Sequence, residues 1–578
     1  MAVKFGIRNY SRSGNTITFT VVALNANGSI DTGYTGPFEL TGFNFSGSGT
    51  YEFNANHQGQ RFITVTIGNP NSLALIDADF PGSRASANLA ITAPVGTFGP
   101  VYLQETGDHL IIGNVGNEAY YGNDGNDLFM FQQGGDDFAS GGGGDDGFYF
   151  GAAYTLADRV EGGAGTRDQI ALQGNYQGAF GPGVTLGSMP GVEMVVLLPG
   201  NDTRFGDFSG SLYNYIVVAD GNTVVSENRL TIQANTLQAG ELFYFDGSAT
   251  SIDYIIYGGR GFNGLVTGSG NDGFFFGDGR FNNDVVDGNG GSDQLGLQGN
   301  YTGANAISFG GGQLLDMEFI VLLSASDNRF GASGGTVGYD LTMHDGNVAA
   351  GQRMIIQGNT LKAGETLTFN GAAELDGGFQ IFSGRGDDVL SGGQGADEIW
   401  GGAGADTITG NGGADVLRGG AGNDLFVYNF ASDSTDSARD EIADFALGDI
   451  IRLSGLAANS GGGSFAFIGS NDPTGARQVQ VVQFEAAATV NVYIDGDAIP
   501  DLVINVTLLG GHALGIGDFS GVGVMQHPAQ AFDGVLDRAH KLWDHDVSGG
   551  VLYRLGDPDL IETPDALHAL PSTSDLLL

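Results

Sequence analysis

A nine-residue period runs through residues 383–427 and leaves the chain few ways to fold. The segment divides into SGRGDDVLS, GGQGADEIW, GGAGADTIT, GNGGADVLR and GGAGNDLFV, with glycine fourth, aspartate sixth and an apolar residue eighth in every block. Glycines permit positive φ and let neighbouring turns stack closely, so the first six residues read as a turn and the last three as a short strand. The eighth residue is expected to point inward and to stack on its counterpart nine residues away. Asp388, Asp397, Asp406, Asp415 and Asp424 are then expected to form a column up the outside of a β-helix. Such a column repels itself unless a cation sits between its members. Carboxylates and turn carbonyls are hard oxygen ligands, which suit calcium. A flexible Gly-rich linker does not hold acidic and aliphatic residues in strict phase.

This pattern resembles the glycine-aspartate nonapeptide of RTX proteins, which implies a calcium-binding parallel β-roll. Two looser runs follow the same rule. In 113–149, GNDGNDLFM and GGGGDDGFY place Asp127 and Asp146 in the metal position, with Asp137 between them. In 258–275, GGRGFNGLV has Asn263 in place of the aspartate and TGSGNDGFF keeps Asp272, while GNGGSDQLG (288–296) adds Asp293.

A longer repeat, near 125 residues, surrounds the short one: DQIALQGNY (168–176) recurs as DQLGLQGNY (293–301), and RLTIQANTLQAGELFYFDGSA (229–249) as RMIIQGNTLKAGETLTFNGAA (353–373). Tandem units of this kind stack into an elongated rod. Residues 383–520 also resemble the C-terminal β-roll domain of serralysin-type proteases, through NDLFVYNFASDSTDSARDEIADFALGD and YIDGDAIPDLVINVTLLGGHALGIGDF. That resemblance implies a calcium-loaded module serving folding and secretion. The protease chemistry is missing, because no histidines are spaced as HExxH. Asp495, Asp497 and Asp501 lack the glycine and distal glutamate of an EF-hand and read as a hairpin turn.

The ends differ in texture. Residues 1–95 alternate apolar and polar residues between NG, TG and NP turns and resemble bacterial Ig-like β-sandwich domains, notably at DTGYTGPFEL. Beyond 520, Phe532, Val535, Leu536, Ala539, Leu542 and Trp543 share one face of an expected amphipathic helix. The closing SDLLL resembles the C-terminal signal of serralysin-like substrates of type I secretion, and MAVKFGIRNYSRSGNT lacks the apolar core of a signal peptide.

Composition narrows the partners. With 66 acidic against 22 basic residues, a net charge of −44 opposes nucleic acid and anionic membrane surfaces. No apolar run is long enough to span a bilayer, and the absence of cysteine excludes disulfides and thiolate metal sites. The one GxSxG, Gly331 to Gly335, has no helix-forming sequence after it and is expected by chance in so glycine-rich a chain. His109, His344 and His512 are scattered without ligand spacing.

The sequence therefore predicts an all-β, non-enzymatic, calcium-binding extracellular protein. Its expected parts are an Ig-like sandwich (1–95), two RTX/β-solenoid units (100–257 and 258–382), an RTX β-roll (383–520) and a tail with a type I secretion signal (521–578). The expected role is structural or adhesive at the cell surface or matrix, by self-assembly into an S-layer-like lattice or fibre. The alternatives are a monomeric adhesin for cell-surface glycans, using aromatics such as Phe148, Tyr149, Phe274 or Phe275, and, further behind, a secreted hydrolase.

Overall fold

The computed structural model describes residues 108–524 apart from 114–115, 118, 178–182, 206–209, 278–279, 282, 329–334 and 336, and the backbone of strands between residues 4 and 102. The helix and secretion signal expected beyond 524, and most of the GxSxG at 331–335, lie outside the described residues.

Strands at Leu110–Ile112, Leu128–Met130, Gly147–Gly151, Gln169–Leu172, Met194–Leu197, Arg229–Gln233, Asp253–Tyr257 and Gly273–Phe276 pair in parallel, each with the next. The same ladder continues through Gln294–Gln298, Phe319–Leu323, Arg353–Gln357, Gly378–Gly384, Glu398–Ala403, Val416–Ala421 and Asp440–Phe445. Between these strands the chain crosses to an opposite face built from three successive parallel sheets, which begin at Val101–Tyr102, Val184–Ser188 and Asn300–Tyr301. Parallel partners on both faces with short crossings between them define a two-sided solenoid, which matches the expected β-roll.

In the period-nine segment one block makes half a coil. Ile399 therefore pairs with Leu417, and Leu390 with Ile408 and then Phe426, at a spacing of 18 residues. The expected stacking at nine residues is corrected accordingly: the side chain nine residues away belongs to the facing sheet. All five eighth-position residues are buried at 1% exposure or less, where they fill the thin core between the two faces. Close stacking of the turns depends on glycine. At Gly404 (φ +133°) an added Cβ would lie 2.6 Å from the carbonyl carbon of Gly386 in the coil below.

The 125-residue repeat is five coils long. Starting from Gly273, successive partners on the continuous face lie 21, 25, 36, 25 and 18 residues further on, ending at Glu398. From Gly147 the steps are 22, 25, 37, 24 and 18, ending at Gly273. The long third coil carries an excursion, and the repeated motifs anchor it. Gln173 Nε2 donates to the carbonyls of Pro199 and Asp202, as Gln298 Nε2 does to Ser324 and Asp327. Glu241 accepts from the amides of Gly200 and Gln238, and Glu365 from those of Ala325 and Lys362. Tyr215 and Tyr339 each donate toward two carbonyls of the adjoining coils, those of Leu172 and Leu198 and those of Leu297 and Leu323. The LQGNY and AGE signatures are thus structural, since they satisfy polar groups that the excursion would otherwise bury unpaired.

At its C-terminal end the roll closes with antiparallel strands, Gln478–Phe484, Ala487–Tyr493 and Leu502–Leu508, the last of them parallel to Asp440–Phe445. This arrangement is consistent with the serralysin resemblance. Asp495, Asp497 and Asp501 accept backbone amides within the turn between the last two strands, which is the expected hairpin. Nearer the N-terminus, Lys4–Ser13, Thr16–Leu24, Gln60–Ile67 and Phe45–Ser46 form an antiparallel sheet, and Pro37–Leu40 pairs with Gly49–Glu52. Among the described residues no helix is long and apolar enough to cross a membrane.

Ile408 is wholly buried whereas Phe484 on the closing strands is 77% exposed. In saturating calcium, Ile408→Ala is expected to lower stability by about 2–5 kcal/mol. Phe484→Ala should stay within about 0.5 kcal/mol. The urea midpoint measured by circular dichroism checks both.

Candidate metal centre

Each half-coil ends with an aspartate, so consecutive blocks deliver their carboxylates to opposite edges of the roll. Instead of one exposed column, the structure contains two, and both are buried. Asp397 and Asp415 share one edge with Asp440, while Asp388, Asp406 and Asp424 share the other with Asp449. The physical reason is the half-coil period, which turns the chain by half a circuit per block.

Within a column every carboxylate grips the coil before it. The amides of Asp388, Asp406 and Asp424 donate to Oδ1 of Asp406, Asp424 and Asp449 at 2.9, 2.9 and 3.0 Å. The amides of Asp397 and Asp415 donate to Oδ1 of Asp415 and Asp440 at 2.8 and 3.0 Å. The degenerate runs build the same ladder. Asp127 and Asp146 donate to Asp146 and Asp168 at 2.7 and 2.6 Å, Asp272 donates to Asp293 at 2.7 Å, and Asp137 donates to Asp158 at 2.8 Å. Glu193 and Glu318 end two of these columns by accepting the amides of Asp168 and Asp293.

All ten aspartates singled out from the sequence are buried. The second carboxylate oxygens carry the chemical information. Oδ2 of Asp146, Asp168, Asp293, Asp406, Asp415 and Asp424 is buried without a hydrogen-bond partner. These atoms point at the turn glycines: an added Cβ on Gly401, Gly410 or Gly419 would collide with Oδ2 of Asp406, Asp415 or Asp424. A buried carboxylate oxygen without a donor is costly, and a stack of them is more so. Burial pushes Asp146 and Asp293 up to about 8, Asp397 and Asp406 to about 7, and Asp168, Asp272, Asp388 and Asp424 to about 6. Asp415 and Asp440 are also raised, by burial first. A divalent cation among these oxygens removes the need for protons, so the donor set fits calcium.

Not every position follows the rule: Oδ2 of Asp397 accepts the Gly393 amide at 2.6 Å. Asp127 lies 2.8 Å from His109 Nδ1 and also accepts the Asn123 amide. Asn263 completes its own turn, because its Nδ2 donates to the carbonyls of Gly259 and Gly261 and its Oδ1 accepts the Gly259 amide. The amide group thus supplies donors to a turn of the kind that elsewhere receives a carboxylate. The other histidines named from the sequence have local partners: His344 caps a short turn through Gly346, and His512 lies 3.0 Å from Asp518.

Asp158, Asp168, Asp440, Asp449, Glu193 and Glu318 extend the columns but were not among the sequence candidates. For Asp168 a signal existed, since the DQIALQGNY and DQLGLQGNY copies align it with Asp293. Asp440 and Asp449 follow their neighbours after 25 residues rather than 18, because the coil between them is longer, and of the glycine pattern only Gly448 beside Asp449 remains.

Residues 380–408, 391–426 and 400–433 match the family described as RTX calcium-binding nonapeptide repeat. A comparison with curated proteins finds no match. Sequence family and buried donor geometry agree over this segment: residues 380–433 carry RTX calcium-binding nonapeptide repeats, and calcium is their ion.

Because the folded, metal-free aspartates hold protons to higher pH than an unfolded chain with its aspartates near ~3.9, the metal-free roll takes up protons on folding. Its stability is therefore greatest at low pH and falls as pH rises toward the folded values of about 6 to 8. In chelator, the far-UV β signal should be stronger at pH 5 than at pH 8, and calcium binding at pH 7 should release protons, measurable in buffers of different ionisation enthalpy. Asp406→Asn keeps an acceptor for the Asp388 amide but removes a charge, so it should lower the calcium count by equilibrium dialysis.

Proposed function

We propose that this is a secreted protein that stays unfolded where calcium is scarce, folds when it reaches extracellular calcium, and serves outside the cell as a structural or adhesive component. The observation that carries this reading is the set of buried carboxylate oxygens with no donor, stacked coil upon coil. At neutral pH without calcium those charges oppose folding. With calcium they become the links between coils. A chain without cysteine, whose fold awaits calcium, suits passage through a type I secretion channel in an unfolded state.

Self-assembly into a lattice or fibre is the form of that role we favour. An elongated stack of parallel coils supports it, as do the exposed apolar side chains of Val482 and Phe484 on the closing strands and of Leu509 just beyond them. In this reading the N-terminal antiparallel strands belong to an Ig-like spacer. The glycan-binding alternative loses its aromatic platform. Phe148, Tyr149, Phe274 and Phe275 are all buried, and Tyr149 stacks on Phe205 of the first excursion with ring centres 4.3 Å apart.

Size-exclusion chromatography with light scattering, in calcium and in chelator, tests the proposal. Calcium should first compact the chain and then drive it into large, regular particles. A chain that calcium compacts into a monomer and no further would remove self-assembly and leave calcium-driven folding standing, whereas one equally compact in chelator would overturn the folding switch as well.

A further inference from the structure

One acidic cluster lies beside the repeats but outside their nine-residue phase. Carboxylate oxygens of Asp345, Glu374 and Asp376 lie within 4.8 Å of one another, outside the matched segment 380–433 and out of phase with its nine-residue period. Asp345 and Asp376 are exposed, but Glu374 is fully buried. Its Oε1 accepts the Gly377 amide at 2.9 Å, while its Oε2 is buried with no partner. Asp345 is held in place because its Oδ1 accepts the Leu375 amide at 3.0 Å. Among the described residues none of the three pairs with a lysine, arginine or histidine.

We propose that Asp345, Glu374 and Asp376 form a further calcium site, with the two exposed aspartates leaving room for water in the remaining positions. Three carboxylates with solvent access suit an ion that takes six to eight oxygens in flexible geometry. The buried Oε2 faces the same problem as the Oδ2 atoms of the columns, namely negative charge away from water with no donor.

The first unit contains the natural counterpart of this turn. The Glu374 amide donates to Gly371 and its carbonyl accepts Gln394, just as the Thr250 amide donates to Gly247 and its carbonyl accepts Ser269. In that unit the Thr250 hydroxyl takes the place of the carboxylate, lying 3.0 Å from the Gly247 carbonyl and 2.9 Å from the Tyr254 hydroxyl. The turn therefore forms with a neutral side chain in one copy and a buried acid in the other. Glu374 also adjoins the second nonapeptide block, GGQGADEIW: an added Cβ on Gly393 would lie 3.0 Å from its carbonyl oxygen. An ion here sits at the junction between the second unit and the nonapeptide roll.

The test is a calcium count on the full chain, by equilibrium dialysis and atomic spectroscopy. Asp345→Asn/Asp376→Asn and, separately, Glu374→Thr are each expected to bind one ion fewer than the wild type. A charge-matched control, Asp246→Asn/Asp472→Asn, should keep the wild-type count. Asp406→Asn reports on the repeat columns independently. An unchanged count in the Asp345→Asn/Asp376→Asn chain overturns the proposal even where Asp406→Asn loses an ion, and so does an equal loss in the control. Because Asp345 and Asp376 are at the surface, the paired variant decides the matter if Glu374→Thr does not fold.

Discussion

Everything in the roll depends on one contact, the hydrogen bond from an aspartate amide to the carboxylate of the next coil. It joins backbone to side chain across the stack, so each coil fixes the position of the acid above it. The same contact commits one oxygen of every carboxylate and turns the other inward, toward glycine turns that offer no donor to Oδ2 of Asp406, Asp415 or Asp424. Charge and geometry then pull in opposite directions. Parallel pairing and the buried Leu, Ile and Phe rows favour the stack, while the buried acids oppose it until a cation arrives.

Asn263 illustrates the balance from within the same chain. Replacing one carboxylate oxygen by an amide nitrogen supplies donors to the turn, which closes on itself through Gly259 and Gly261. A solenoid turn of this shape therefore does not need a metal as such. It needs a positive charge or a donor at one point, and aspartate makes that need conditional on the medium. The 125-residue units mix turns of both kinds, and their LQGNY and AGE anchors hold the long coils with neutral amides and amide-capped glutamates.

The parallel roll was legible because glycine, aspartate and an aliphatic residue recur in strict phase, and the same phase located ten of the buried aspartates. What the period could not convey is that nine residues make half a turn of the coil. A one-dimensional pattern has no way to distinguish one column of five acids from two columns on opposite edges, and only the pairing of Ile399 with Leu417 settles it. Asp440 and Asp449 escaped notice for a related reason. They continue the columns spatially after a longer coil, where the nine-residue spacing is lost and a lone Gly448 beside Asp449 is all that is left of the glycine pattern. Burial of Phe148, Tyr149, Phe274 and Phe275 follows from strands covered on both sides, the inner one by the core and the outer one at Tyr149 by Phe205.

The two-column arrangement has a consequence for how calcium acts. An ion on one edge neutralises acids that are spaced a full coil apart, and each of those acids already holds the amide of its neighbour. Ordering one coil therefore positions the ligands of the next, so binding along an edge is coupled through the backbone rather than through direct contact between ions. The coupling runs to the end of the stack, where Asp440–Phe445 pairs with Leu502–Leu508 and hands the ladder to the antiparallel strands. Those strands contain no acid columns and close the growing edge with ordinary sheet pairing. A stack of conditional coils is thus bounded on this side by an element whose pairing needs no ion.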